Sequence, residues 1–410
     1  MEQEEKYKGL SRRNFIKTIG LAGIASTGLD MGKAGAAPEQ ADAGKSVLPR
    51  RKLGKTGVEV SVLTLGGMFD TINNQLLLRQ ARTWGVNFWD SAEAYGNGLS
   101  EEGYGRFFAR NPDVRKEIFL TTKLRPRDPG AMTEGLEACL KRLSTDYVDL
   151  FYMHAIDKFS EIAEPKPFKQ WASEMKKAGK IKLFGFSSHA NMEDNLLSAA
   201  KEDWIDVVMF TYNFRVMNTG KMKDAIAACV DKGIGLVAMK SQGGKQEKKE
   251  SEAELQFAER FLERGFTDKQ AKIMAVLENP HIASICSQMP SLTILSANVA
   301  AARNQTSLSR SDFELLERFA AETQESYCAG CGRICHEAVG GVVPVSDIMR
   351  CLMYYRDYGE HGLAREVYAG LPVQARERLT QVDYSLAEKA CPQKLAISRL
   401  MQEASEILTS

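Results

Sequence analysis

The stretch VNFWDSAEAYG, residues 86–96, decides the fold. Its first half is a short apolar run closed by Asp90. A run this short and aromatic, without helical spacing, reads as a strand buried on both faces. Its second half is small and polar, and it brings a phenol, Tyr95, five residues beyond the carboxylate. The same rhythm recurs in both directions. RRKLGKTGVEVSVLTLGG (50–67) reads as a hairpin turning at Gly54 and Gly57 that feeds the strand VLTLGG. After VNFWD come EIFLTTK (117–123), YVDLFYMH (147–154), KLFGFSS (182–188), DVVMFT (206–211), GLVAMK (235–240) and HIASICS (281–287), which makes eight. Helical patterns separate them. TEGLEACLKRLST sets Leu136, Leu140 and Leu143 on one face, and NQLLLRQARTWG and MKDAIAACVDKG each finish near a glycine. Strands alternating with helices pair in parallel through crossovers, so eight such units predict an α/β fold closed as a (β/α)8 TIM barrel with an N-terminal hairpin. No GxGxxG follows the first strand, which counts against a Rossmann domain.

In such a barrel the working groups sit at the C-terminal ends of strands. Asp90 ends the second strand, Lys123 the third, His154 the fourth, and Ser187 and Ser188 the fifth; Tyr95 reaches the same rim. Taken singly, Asp90 reads equally as a helix cap, Lys123 as a surface lysine and His154 as a core histidine. Three titratable groups ending three successive strands point instead to a site.

LGKTGVEVSVLTLGG, NFWDSAEAYG, LTTK and DLFYMH resemble the aldo-keto reductases, and the resemblance covers residues 48 to about 305. It implies a catalytic tetrad of Asp90, Tyr95, Lys123 and His154, and a nicotinamide cofactor, NADP rather than NAD, bound without a Rossmann fold. The chemistry also follows from the side chains. Hydride reduction of a carbonyl leaves an alkoxide that needs a proton, and a phenol is a sluggish donor at neutral pH. A buried ammonium at Lys123, held by Asp90, is expected to lower the Tyr95 pKa. His154 would donate a hydrogen bond to the carbonyl oxygen. By the same resemblance Ser187 and Ser188 would bind the nicotinamide carboxamide. Met209 stands where the family often has a glutamine, and Asn213 is the expected substitute. Met239 stands where many members carry a stacking aromatic. Lys240, Gln242, Gly243 and Gly244 form an expected pyrophosphate loop, or else a plain surface turn, and Asn298 is placed to touch adenine.

After residue 305 the strand rhythm stops. SRSDFELLERFAAETQE (309–325) reads as a helix capped by Ser311 or Asp312, and PVSDIMRCLMYYRDYG (344–359) as another. Five of the eight cysteines fall after residue 327. Cys139, Cys229 and Cys286, earlier in the chain, read as small buried hydrophobes. The tail resembles the bacterial ferredoxin-like tail of some exported aldo-keto reductases, with two C-x2-C-x2-C-x3-C-P blocks. In the second block Gln381, Tyr384 and Ala387 replace three cysteines, and only Cys391, before Pro392, survives. Because the last cysteine of each block serves the other cluster, the resemblance implies one 4Fe–4S cluster on Cys328, Cys331, Cys335 and Cys391. A disulfide or thiol-only remnant is the competing reading, since the first block runs C-x2-C-x3-C, one residue too long. Cys351 reads as core.

SRRNFIKTIG, with Arg12 and Arg13 before a short, weakly apolar run, resembles a twin-arginine export signal. The expected organisation is therefore a signal peptide and linker at 1–43, a barrel at 48–305 and a small, mostly helical iron–sulfur tail at 306–410. The expected location is the periplasm or cell envelope, reached through the twin-arginine machinery. A net charge of +1 with no long basic stripe excludes nucleic acid as an expected partner. The apolar run is too short and broken for an integral membrane protein. A small carbonyl or alcohol is the expected substrate. Two other readings remain open at this level: an exported barrel that has lost its cofactor and serves in binding or assembly, and an iron–sulfur electron-transfer protein.

Overall fold

Eight buried strands close on themselves because each carries apolar side chains on both faces. In a computed structural model of the chain, residues 48–125, 128–163, 167–244, 252–304 and 306–409 are described. The N-terminal segment in which the export signal was read lies outside the described residues. A hairpin of β1 (Arg50–Lys52) and β2 (Glu59–Ser61) leads into β3 (Leu63–Gly66). Then follow β4 (Phe88–Asp90), β5 (Phe119–Leu124), β6 (Val148–Met153), β7 (Ile181–Ser188), β8 (Val207–Thr211), β9 (Gly235–Met239) and β10 (Ile282–Gln288). Strands β3 to β10 are parallel neighbours in chain order, and β10 pairs back onto β3 to close the barrel.

The hairpin stops the N-terminal end of the barrel. Leu53 and Val60 pack with Phe88, Phe119, Leu150, Val207 and Val237 inside the cylinder. Gly54 has φ +57, and a Cβ there would stand 2.4 Å from the Gly233 carbonyl oxygen, so only glycine lets this turn close. Outside, the intervening helices bury their apolar stripes. The helix Pro129–Leu143 covers Leu136, Cys139, Leu140 and Leu143, and Asp128 caps it by accepting from Gly130 and Ala131.

The helix Arg310–Glu322 packs on the helix Glu252–Glu263, and its Leu316 and Phe319 join the barrel's core. Its N-cap is Ser309, not Ser311 or Asp312: Ser309 accepts from the Asp312 amide, and Asp312 accepts from the Ser309 amide. A second core, with Val343, Ile348, Leu352, Tyr368, Leu400 and Met401, belongs to the helices beyond Val339. Near the C-terminus, Cys391–Pro392 separates the helices Ser385–Ala390 and Ile397–Ile407. From Leu48 onward, barrel and tail form one compact unit. No described helix is long and apolar enough to cross a membrane.

Candidate active site

The rim at the C-terminal ends of the strands gathers Asp90, Tyr95, Lys123 and His154. Asp90 is the last residue of β4, Lys123 lies one before the end of β5, and His154 follows β6 directly. The Lys123 ammonium donates to Asp90 Oδ2 at 2.6 Å, to the Ser91 carbonyl at 2.8 Å and to the Tyr95 hydroxyl at 3.3 Å. Both partners of the Lys123–Asp90 pair are 1 % exposed. Thr121 fixes the carboxylate from the next strand by donating to Asp90 Oδ1 at 2.8 Å. The His154 ring stands edge-on to the Tyr95 ring, with centroids 5.9 Å apart. Its Nδ1 is buried without a partner.

Burial, with Lys123, Arg125 and Arg350 nearby, depresses the His154 pKa far below the ordinary histidine value, so the ring is neutral. The expected lowering of the Tyr95 phenol is not what this arrangement gives. Burial raises it well above the ordinary value, and the charge of Asp90 pushes the same way. Lys123 sits between the two, and its charge is offset by the nearer carboxylate. The phenol is therefore a fully protonated acid.

The expected cofactor contacts divide. Ser187 Oγ accepts from the Ala155 amide, and Ser188 Oγ lies between Ala190 O and the Asn195 amide group. Asn213 is spent: it donates to Lys240 O and to the Tyr327 hydroxyl, and accepts from the Arg215 amide. Asn298 donates to Ser287 Oγ. All four of these side chains hydrogen-bond within the fold. Lys240 (φ +56), Gly243 (φ +69) and Gly244 (φ +85) form a tight left-handed turn after β9. Gln242 donates to Lys269 O while its Oε1 stays buried and unpaired. Lys240 is half-buried, and burial together with Arg350 lowers its pKa to about 7.

Other groups at the rim escaped the sequence reading. Thr211 ends β8, and its Oγ1 is buried without a partner. The usable signal was the same one that found Lys123, a polar residue closing a strand. Cys286, on β10, is no inert hydrophobe: its thiol lies 3.6 Å from Asp90 Oδ2. His189 stands 6.4 Å, centroid to centroid, from His154. The tail also reaches this rim, a placement that no local sequence pattern encodes. Tyr327 occupies Asn213 and packs where a Cβ on Gly244 would stand 3.0 Å from its ring. Arg350 pairs with Asp157 at 3.3 Å, and the Lys240 ammonium lies 5.8 Å from the centre of the Tyr354 ring.

Cys328, Cys331, Cys335 and Cys391 line a single small cavity of about 20 Å³ together with Met349 and Val345. Burial pushes Cys328 and Cys335 up to about 11 and Cys331 to about 12. Among the described residues, no group of three or more His, Cys, Asp or Glu is placed to hold a metal ion. Cys351 is buried in the tail core, His336 faces the Val343 carbonyl and His361 stacks on Tyr355.

Comparison with known proteins agrees with this architecture. A probable voltage-gated potassium channel subunit beta of Arabidopsis thaliana is 38% identical over 130 residues, 28% of this chain and 39% of that protein. An aldo-keto reductase of Schizosaccharomyces pombe whose name carries NADP(+) is 34% identical over 161 residues, 34% of this chain and 45% of that protein. In both, the match spans less than half of the relative's length. The holo form of an aldo-keto reductase from Bacillus halodurans shares the fold at a TM-score of 0.54 and 21% identity, over 66% of this chain and 96% of that one. The family model described as aldo/keto reductase matches residues 65–330, more than half of the sequence, and the chain belongs to that family.

Proposed function

We propose that this protein is a nicotinamide-dependent oxidoreductase that interconverts a small carbonyl compound and its alcohol, with Tyr95 as acid and base. The observation that carries the reading is the buried Lys123 ammonium bridging Asp90 at 2.6 Å and the Tyr95 hydroxyl at 3.3 Å on the barrel rim. A nicotinamide bound beside this rim would supply the hydride. Tyr95 delivers its proton to the substrate oxygen, and Lys123 stabilises the phenolate left behind. Asp90 keeps Lys123 charged and aimed. Neutral His154 donates one hydrogen bond to the carbonyl oxygen and fixes its direction. In the oxidative direction Tyr95 takes the proton back.

The cofactor would rest on groups whose hydrogen-bonding capacity is unused. The buried, unpaired Thr211 Oγ1 and Gln242 Oε1 flank the site from β8 and from the loop after β9. Ser187, Ser188 and Asn298 would act through backbone or by rearrangement. The turn Lys240–Gly244 offers a cation and backbone for the pyrophosphate. NADP is preferred over NAD, in line with the name of the S. pombe relative. The reading extends to the tail. Four cysteines around one apolar cavity would take a single 4Fe–4S cluster, whose irons spread over more space than a lone ion, and its role would be chiefly structural. The SRRNFIK segment would send the folded protein through the twin-arginine machinery to the periplasm or cell envelope. Replacing Arg12 and Arg13 together by Lys should leave the protein in the cytoplasmic fraction; unchanged fractionation would refute export by this route.

One observation favours a second reading, a barrel that has given up its cofactor. Tyr327 holds Asn213 at 2.9 Å and covers Gly244, both on loops assigned to the dinucleotide. Titration of NADPH and NADH into anaerobically purified protein, followed by fluorescence, separates the two. Saturable binding supports the oxidoreductase, and no binding by either supports the second reading.

A further inference from the structure

His154 heads a short loop that does not hold its own shape. Ala155 has φ +57, a left-handed conformation that a residue with a Cβ avoids. The barrel pins the loop at two points: the Ala155 amide donates to Ser187 Oγ at 2.9 Å, and the Ile156 amide to Ser187 O at 2.7 Å. The far end, Asp157, is pinned by the C-terminal segment. Arg350, 9 % exposed on the helix Val345–Asp357, places Nη1 3.3 Å from Asp157 Oδ1 and Nη2 2.5 Å from Asp347 Oδ1. The Asp157 carbonyl accepts from Asn191 Nδ2 at 3.0 Å. Asn191 is in turn tied to the tail, its amide donating to Gly330 O at 2.6 Å and its Oδ1 accepting from the Arg333 amide. Both ends of this linkage come from residues beyond 327.

We propose that Arg350 is a positioning residue of the active site: from the C-terminal segment it fixes Asp157 and, through the strained loop, the direction of the His154 ring. The proposal rests on the reading of His154 as the donor to the substrate oxygen. Arg350 touches no reacting atom. It acts by restricting a ring whose buried Nδ1 has no partner of its own to hold it. The same helix lines the four-cysteine cavity through Val345, Ser346 and Met349.

Asp157→Asn and Arg350→Lys test this without stranding a buried charge. Burial already raises Asp157 to about 7 against the pull of Arg350, so the amide is tolerated, and Lys keeps the charge but loses the fork. The chain has five histidines, and ¹⁵N-histidine labelling resolves their rings, with His154 assigned from a His154→Gln sample. At pH 8, both variants should displace the His154 ring signals while leaving those of His281 and His361 in place. Near-UV circular dichroism should stay native. With a carbonyl substrate, kcat should fall on the order of tenfold while dinucleotide affinity is unchanged. If the His154 signals stay put in both natively folded variants, the proposal is overturned. If no carbonyl is turned over by the parent, the oxidoreductase reading fails, and the ring signals still decide the role of Arg350.

Discussion

Tyr95 and Lys240 carry the clearest single-residue consequences. Replacing Tyr95 by Phe removes the proton donor and leaves the shape of the site intact. Turnover should fall by about three orders of magnitude or more while dinucleotide affinity holds. Carbonyl reduction at the parental rate would dismiss Tyr95 as the acid. Lys240 is a half-buried cation whose pKa is lowered to about 7, by burial first and by Arg350 next. Between pH 7 and the ordinary lysine value of 10.5 the unfolded chain binds a proton that the folded one does not, so stability rises with pH across that window. Lys240→Met should therefore raise thermal stability most at and below pH 7, by a few kcal/mol at about 1.4 per unit, and the gain should fade toward pH 10. Equal melting curves at pH 6, with and without the substitution, would show that the lysine carries no such penalty. Asp90, Lys123 and His154 were legible in the sequence because each interrupts an apolar run where a strand ends. Thr211 obeys the same rule, but Met209 drew the reading two positions too early. Asn213 shows the limit of that rule: a loop amide's partners depend on which segment lands beside it, here Tyr327.

Strands and helices followed their sequence patterns closely, because a strand buried on both faces must be a continuous apolar run and a covering helix must carry a stripe. Caps and boundaries did not. Ser309, Ser311 and Asp312 are all good N-cap residues, and only the reciprocal bond between Ser309 and Asp312 picks the first. Asp312 has a larger role than capping. It is fully buried, and it accepts from Arg260 and from Arg264 Nη1 at 3.0 Å, joining the helix Arg310–Glu322 to the helix Glu252–Glu263. Asp312→Ala removes the acceptor shared by the Ser309 amide and both guanidinium groups, while the Ser309 side-chain cap remains. The cost should be about 3 kcal/mol, read as a shift in the denaturation midpoint of the parent and variant. A loss under about 0.5 kcal/mol would mean that the pairs are exposed and screened.

The tail turns a barrel with an open mouth into one whose rim is shared, and that could not be read from sequence. Its helices announce themselves by periodicity, but the face on which they land is set by contacts such as Arg350–Asp157 and Gly330–Asn191, which no local pattern encodes. The tail has a modest core of its own, and the four cysteines join its ends: Cys335 and Cys391 lie far apart in sequence yet line one cavity. A cluster bound there would close a long loop, and tethering of this kind stabilises by restricting the unfolded chain. Cys391→Ser removes the tether from one side without touching the barrel. In anaerobically prepared protein, the parent should show a broad, reducible absorption at about 400 nm that the variant loses. Limited proteolysis should then cut the variant between residues 328 and 400 while the barrel survives, since the barrel core is separate from the tail core. The order of events also matters. If cleavage of the tail appears only when the absorption is lost, the cavity's occupant holds the tail on the rim. If the parent has no such absorption and Cys391→Ser is cut no faster, the cysteines are a remnant and packing alone holds the tail.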